Sequence, residues 1–425
     1  MRETAKNIFL ESEDTYLITT FERQKDILKI ISNLDISPTM HRNATEKYKA
    51  LAAFLEDCGI EADIYPQGSF ALGTVIRPAY RDPDANYDLD FICELHMTRD
   101  DITPSELRKK IEEALTSSDR YSGKVKVWKE CFTIEYADVN GVRFSIDIVP
   151  AINEGIQQKR ELSQLSQRPD LIETAIAIPR HNGERNYNWL TNNPHGLKKW
   201  FDEINTPFLQ YGASERLAAY FQENRAVFNS VEEIPTELDR SAMQRVIQLL
   251  KYHRDNYYHN LPRKDSDDLK PISAIITVLV ADIAKGSAAT SDVFELLAYV
   301  LCELKIYAQQ QTMRFDEFQR TYSARSSITR KNGIWTIVNP ANPKDNLANK
   351  WNDNAEISRF FFKWIQACYN DLVESLTLPD NQFRTQLENA FGSATVKNNW
   401  GAKYSNVSAP KPIITASASK PYRAL

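Results

Sequence analysis

Between Tyr87 and Ile92 the sequence reads YDLDFI, two carboxylates alternating with apolar residues and preceded by the turn-rich RPAYRDPDAN. Alternation of period two marks a strand, in which Asp88 and Asp90 share one face while Tyr87, Leu89 and Phe91 point into a core. Such a strand needs a sheet covered on one side, and it needs a cation on the other. Two carboxylates side by side repel, and one takes up a proton unless a cation lies between them. Magnesium suits the position because it takes a few carboxylates together with phosphate oxygens, and manganese accepts the same oxygen donors. The run FSIDIV at Phe144 to Val149 repeats the pattern, with Phe144, Ile146 and Ile148 on one face and Asp147 on the other. If the two strands are neighbours, Asp147 completes a carboxylate trio able to hold two ions.

Three Asp-x-Asp triplets occur, at Asp82/Asp84, Asp88/Asp90 and Asp265/Asp267. The first straddles Pro83 and the last lies in the polar run RKDSDDLK, so both read as solvated turns. Upstream of the strand-borne pair stands GSFALGT, Gly68 to Thr74. Gly68 permits a tight backbone approach, and the amides after it, with the Ser69 hydroxyl, can hold β- and γ-phosphates. Two ions and a phosphate turn together suit an in-line displacement at phosphorus, where positioning and charge neutralisation carry the chemistry.

The 425 residues, 42% hydrophobic and 11% aromatic, suffice for a bilobal unit with a large core. Apolar stretches such as Ile275 to Val280 fall far short of the roughly 20 residues that cross a bilayer. The N-terminal MRETAKNIFLESED carries acidic residues where a secretory signal needs an apolar run. A cytoplasmic location is expected. Cys58, Cys93, Cys131, Cys302 and Cys368 are odd in number and far apart, which predicts small core residues rather than a disulfide framework or a zinc site. The net charge of −5 and the lack of a long basic run argue against strong nucleic-acid binding.

Ser37, Pro38 and Gly59 punctuate a helix over about 38 to 58. Strands are predicted at Ala62 to Tyr65, Tyr87 to Leu95, Lys124 to Trp128, Phe132 to Tyr136 and Val142 to Val149. A helix from Pro104 to Leu115 is capped by Thr103. Residues 150 to 235 read as a crossover with short helices, and long helical periodicity returns beyond them. The fold class is α+β, with domains expected at 1–175 and 176–404. Residues 405–425, rich in Ser, Ala and Pro, read as a mobile tail.

GSFALGT, then YDLDF, then a later apolar-Asp-apolar strand resembles the signature of the bacterial cyclic-oligonucleotide synthases, relatives of animal cyclic GMP-AMP synthase and oligoadenylate synthase. The likeness runs in order over most of residues 38 to 375, although the loop before Asp88 exceeds the shortest family spacings. It implies a polymerase-β-type nucleotidyltransferase with an N-terminal spine helix, a mixed catalytic sheet and a helical C-terminal lobe. Asp88, Asp90 and Asp147 would hold two magnesium ions, and Gly68 and Ser69 would hold nucleoside triphosphate. VIQLLKYHRD and KPISAII look like the segments that supply a phosphate-binding Lys and a nucleotide-contacting Ser, here Lys251 and Ser273. On residues alone, Lys251 is a surface lysine of an amphipathic helix and Ser273 a helix-start residue. IVNPANPKDNLANKW resembles the family's Asn-Pro segment. The implied product is a cyclic di- or trinucleotide that switches on an effector in CBASS anti-phage signalling. In a subset of the family an accessory conjugating enzyme captures the C-terminal tail, whose last residue here is Leu425. Two other readings stand: a terminal ribonucleotidyltransferase acting on RNA or a protein, and a catalytically silent nucleotide-binding adaptor.

Overall fold

A computed structural model describes residues 19–32, 35, 38–77, 87–118, 121–139, 142–183, 186–223, 240–262, 266–322 and 325–405. For 38–40, 87–88, 137–139, 142–144, 213–223 and 266–267 it describes the backbone alone. Ser37, the Asp82/Asp84 turn, Asp265 and the tail from 406 onward therefore lie outside the described residues. The order begins with α1 (residues 19–32), α2 (Pro38–Asp57), β1 (Ala62–Pro66) and the one-turn α3 (Gly68–Ala71). It continues with β2 (Tyr87–Leu95), α4 (Pro104–Thr116), β3 (Val125–Val127), β4 (Phe132–Val139), β5 (Val142–Asn153), α5 (Ile156–Leu165), β6 (Ile176–His181) and β7 (Tyr187–Asn192). These strands form one mixed sheet in the order β1-β2-β5-β4-β3, with the β6–β7 hairpin added at the end of β5. Strands β2 and β5 run parallel and the other pairs antiparallel.

The period-two reading sets the faces. Leu89, Phe91, Cys93, Ile134, Ile146 and Ile148 bury one face under Leu51 and Leu55 of α2 and Leu107 and Ile111 of α4. The opposite face carries Ile92 and Val149 with Ala151, Ile176 and Ile178. Asp90 and Asp147 precede Ile92 and Val149 by two residues and so lie on that second face. Helix α4 is fixed at its start by a capping box between Thr103 and Glu106, a device that stabilises a helix by about 1 kcal/mol.

Between residues 150 and 223 the expected short helices occur as α5 and a 3-10 turn at Pro169–Thr174, and the rest differs from the sequence expectation. Ile176 to Asn192 form a hairpin that extends the sheet, and α6 (Pro194–Glu223) is a single 30-residue helix. Pro179 and Pro207 disguise both, yet Leu197, Trp200, Phe201, Ile204 and Phe208 recur at helical spacing and pack into the second core. The rest is helical, with α7 (Ala242–His259), α8 (Ser266–Leu269), α9 (Ser273–Ala284), α10 (Val293–Tyr307) and α11 (Phe315–Thr321). Two small hairpins, β8 (Thr329–Lys331) with β9 (Ile334–Thr336) and β10 (Val338–Asn339) with β11 (Asn342–Asn346), lead to α12 (Asn349–Asp353), α13 (Ala355–Leu372), α14 (Asp380–Phe391) and α15 (Ser393–Trp400). One core joins α1, α6, α7, α9, α10, α13 and α14, and Leu72 from the turn after α3 packs into it. Only Cys93 and Cys368 are buried, Cys131 is half-buried, and Cys58 and Cys302 are exposed, so the expectation of five core cysteines holds for two; none forms a disulfide. No described helix is long and apolar enough to cross a membrane.

Glu154, just past β5, is 2% exposed and ties the sheet together. It accepts from Arg99 Nη2 at 2.6 Å, Thr191 Oγ1 at 2.6 Å and the Gly155 amide at 2.7 Å. Glu154→Ala leaves Arg99 beside a vacated, dry position and is expected to cost about 3 kcal/mol. A fall in the urea midpoint checks this.

Candidate functional site

Register brings the candidate carboxylates together. In the parallel β2–β5 pair Asp90 stands opposite Asp147 and Asp88 opposite Ser145. Neighbouring strands lie about 4.8 Å apart, so Asp90 and Asp147 are lateral neighbours on one face. The backbone of Asp88 lies two residues before Asp90 on the same strand; its side chain is outside the described residues. Across the antiparallel β4–β5 pair Thr133 stands opposite Asp147, and its hydroxyl donates to Asp147 Oδ1. Cys131 borders the same patch, its thiol pushed up to about 12 by burial first and then by the charge of Asp147.

The Gly68 turn abuts this patch. Gln67 N donates to Asp90 O at 2.8 Å, which seats α3 on β2. Gly68 has φ +60°, and a Cβ there would lie 2.8 Å from Asp90 Oδ2. The position thus requires glycine both for its backbone and for the carboxylate beside it. Ser69 is half-buried, and its carbonyl accepts from Thr74 N at 2.9 Å.

Lys251 is not on the helix surface. It is 3% exposed, and Nζ donates to Thr74 O and Thr74 Oγ1, each at 3.1 Å. Burial lowers its pKa to about 7, helped by the Arg254 cation, while Asp255 and Asp90 act in the opposite sense. The turn, Asp90 and Lys251 therefore form one cluster. Ser273 begins α9 one turn further along α7, where its hydroxyl accepts from Arg254 Nη1 at 3.0 Å and Arg254 also donates to Pro271 O at 3.1 Å. The structure ties Ser273 to Arg254, whereas Lys251 bonds to Thr74.

Residues 22–164 match the family described as Second Messenger Oligonucleotide or Dinucleotide Synthetase domain. A protein of Roseivirga ehrenbergii named c-di-GMP synthase is 23% identical over 350 residues, which span 81% of this chain and 77% of that one. The structure of the Bradyrhizobium diazoefficiens CD-NTase CdnG in complex with GTP superposes with a TM-score of 0.62 at 19% identity, over 89% of this chain and 98% of that one. E. coli MS115-1 CdnC with ATP gives 0.54 at 15% identity, over 88% and 98%. Residues 22–164 thus match a second-messenger synthetase domain, and the fold is that of the CD-NTase structures.

The polymerase-β-like architecture expected of a CD-NTase is the one observed, an α+β unit with a mixed sheet and a helical lobe. The Asn-Pro segment of the resemblance forms β10 and β11, and it bridges to the sheet through Asn342 Nδ2 on Thr191 O and Asn193 Nδ2 on Ala341 O. Sequence reading missed Thr133, Gln244, Gln248 and Arg254. The signal for the α7 residues is present in hindsight: Gln244, Gln248 and Lys251 form a polar stripe at helical spacing on a helix whose other faces are buried.

The Lys251 shift has a definite consequence for stability. The unfolded lysine keeps its ordinary value of 10.5, the folded one sits at about 7, and between these the unfolded chain binds more protons. Folding stability contributed here is lowest below pH 7 and rises as pH climbs toward 10. Replacing Lys251 by Met removes the titration, so the stability of the wild type relative to the variant should rise between pH 7 and pH 9. Denaturant titrations of both at pH 6.5 and pH 9 measure it; a difference independent of pH contradicts the shift.

Proposed function

We propose that this chain is a magnesium-dependent enzyme that joins two nucleoside triphosphates into a cyclic dinucleotide. The observation that carries the reading is the same-register pair Asp90 and Asp147 with Gly68 packed against Asp90 Oδ2. Oxygen donors from adjacent strands, with Asp88 on the same face by strand periodicity, fit a small hard cation. Bound magnesium supplies charge neutralisation at the attacking and leaving oxygens and acidifies the acceptor hydroxyl.

The chain's own residues do the rest. Thr133 fixes the rotation of the Asp147 carboxylate through Oδ1, and this oriented carboxylate would help to hold an ion. The acceptor ribose hydroxyl gives its proton to solvent water and its oxygen attacks the α-phosphorus of the first nucleotide, whose bond to pyrophosphate breaks as pyrophosphate leaves. The amides following Gln67, the Ser69 hydroxyl and Lys251 hold the departing phosphates, and Ser273 with Arg254 lines the approach to the nucleotide. A second round with roles exchanged closes the ring. Electrostatic preorganisation is the main device, since the donors are fixed before substrate arrives.

Relatives named c-di-GMP synthase and CdnG make GTP the first substrate to test. The product would act in the cytoplasm on a downstream effector in anti-phage defence. Capture of the tail by an accessory conjugating enzyme belongs to the same proposal, and the tail from 406 onward lies outside the described residues. Deleting the last few residues should leave synthesis intact and abolish conjugation, as scored by gel shift of the target.

Incubation of the pure chain with the four ribonucleoside triphosphates and magnesium should yield a product that resists alkaline phosphatase, because a ring has no terminal phosphate. Linear oligomers with a labile 5′-triphosphate would point instead to a terminal ribonucleotidyltransferase, and no turnover to a silent adaptor. Asp88→Asn with Asp90→Asn should abolish synthesis while leaving the circular dichroism spectrum unchanged, because the ions lose anionic ligands without a loss of core. Near-normal turnover in that double variant sinks the metal-site reading.

A further inference from the structure

Three donors on one stripe of α7 close on the carbonyls of the turn after α3. Gln244 Nε2 donates to Leu72 O at 2.8 Å, Gln248 Nε2 to Val75 O at 2.8 Å, and Lys251 Nζ to Thr74 O at 3.1 Å. The spacing of four and then three residues sets them on one face of the helix. Gln244 is 6% exposed and Gln248 1%.

Neither carboxamide is free to rotate. Gln244 Oε1 accepts from the Ser241 amide at 2.9 Å, so the residue that completes the capping box of α7 also grips the turn. Gln248 Oε1 accepts from Arg245 Nη1 at 2.9 Å, and that nitrogen also donates to Asp35 Oδ2 at 2.8 Å. With each oxygen engaged, each NH2 group is aimed at the turn.

The turn is held from its own side as well. Leu72 N donates to Gly68 O at 3.2 Å, Gly73 N to Phe70 O at 3.3 Å and Thr74 N to Ser69 O at 2.9 Å. Gly73 has φ +64°, and a Cβ there would lie 2.5 Å from Gln244 Nε2. Only glycine lets the amide come that close. The carbonyls of Gly68, Ser69 and Phe70 thus bond within the turn, those of Leu72, Thr74 and Val75 bond to α7, and the Leu72 side chain sits in the helical core.

We propose that Gln244 and Gln248 are positioning residues for the triphosphate. By pinning the turn's carbonyls to α7, they hold the amides that begin the turn, and the Lys251 amine, in the places the phosphates require. The claim rests on the reading of this turn as the triphosphate turn. It differs from mere satisfaction of buried carbonyls, which would affect stability and leave nucleotide affinity alone.

Three full-length variants separate the two. Gln244→Glu keeps an acceptor for the Ser241 amide and so keeps the capping box, but it sets an oxygen against Leu72 O. Gln248→Met keeps length and volume and loses all three side-chain hydrogen bonds, to Val75 O, to Asp35 Oδ1 and from Arg245 Nη1. Asn256→Leu is the control, because Asn256 is 1% exposed on the same helix and donates to Asn389 O, away from the turn. The melting temperature is expected to fall in all three. Only the two glutamine variants should raise KM, and the Kd of a nonhydrolysable nucleoside triphosphate with magnesium, by about tenfold, with kcat held within about twofold. Unchanged KM and Kd in the glutamine variants, an equal rise in Asn256→Leu, or a fall in kcat at constant KM overturns the inference while the functional reading stands. A wild type that binds none of the four triphosphates overturns the functional reading and this inference with it.

Discussion

The parallel pairing of β2 with β5 in one register is the constraint on which the rest depends. It sets Asp90 directly beside Asp147, two residues after the backbone pairing of Asp88 with Ser145. A shift of one residue would turn every carboxylate into the core and every core residue outward. What forbids that shift is the opposite face, where Leu89, Phe91, Ile146 and Ile148 are almost wholly buried. Each such side chain stabilises the register by about 1.5 to 3 kcal/mol through burial, a larger sum than two adjacent carboxylates can oppose. The core therefore supports an arrangement of charges that would be unfavourable alone.

The helical lobe meets this charge patch through α7. Its Lys251 lies close enough to Asp90 for each to feel the other, yet burial drives the amine toward neutrality near pH 7. A neutral amine still donates hydrogen bonds, so the contact with Thr74 persists across that titration. On the proposed function an incoming triphosphate would bring negative charge to the same place and favour the protonated amine. The cost of burying the cation is thereby recovered when an anion arrives, which is a reason for a lysine in a position where an arginine would stay charged.

Elements whose reasons are local were legible in the sequence. Strand β2 was read to the residue, α4 with its Thr103 cap to within one, and the faces of β2 and β5 followed from alternation. The spacing of those elements singles out Asp88, Asp90, Asp147, Gly68 and Ser69 as candidates. The β6–β7 hairpin and the length of α6 were not legible, because Pro179 and Pro207 imitate breaks that long-range packing overrides. Pro179 lies beyond the short pairing of β6 with β5, where β6 is laddered only to β7 and a proline can be accommodated, and Pro207 lies in a helix whose apolar residues on either side are buried in a common core. The role of Arg254 beside Ser273 was equally hidden, since the two meet only when α7 and α9 pack.

The stripe Gln244, Gln248 and Lys251 lies between these cases. Its spacing is visible in the sequence, but a polar stripe on a helix ordinarily means a solvated face. The distinguishing fact is what lies opposite, the backbone carbonyls of Leu72, Thr74 and Val75, supplied by a segment about 170 residues earlier in the chain. Buried carbonyls must be satisfied, and a turn cannot satisfy all of its own while keeping its first amides open. The donors have to come from another element. Long, unbranched side chains ending in NH groups can reach across a lobe boundary, which explains why two glutamines and a lysine, rather than serines or asparagines, occupy that face of α7.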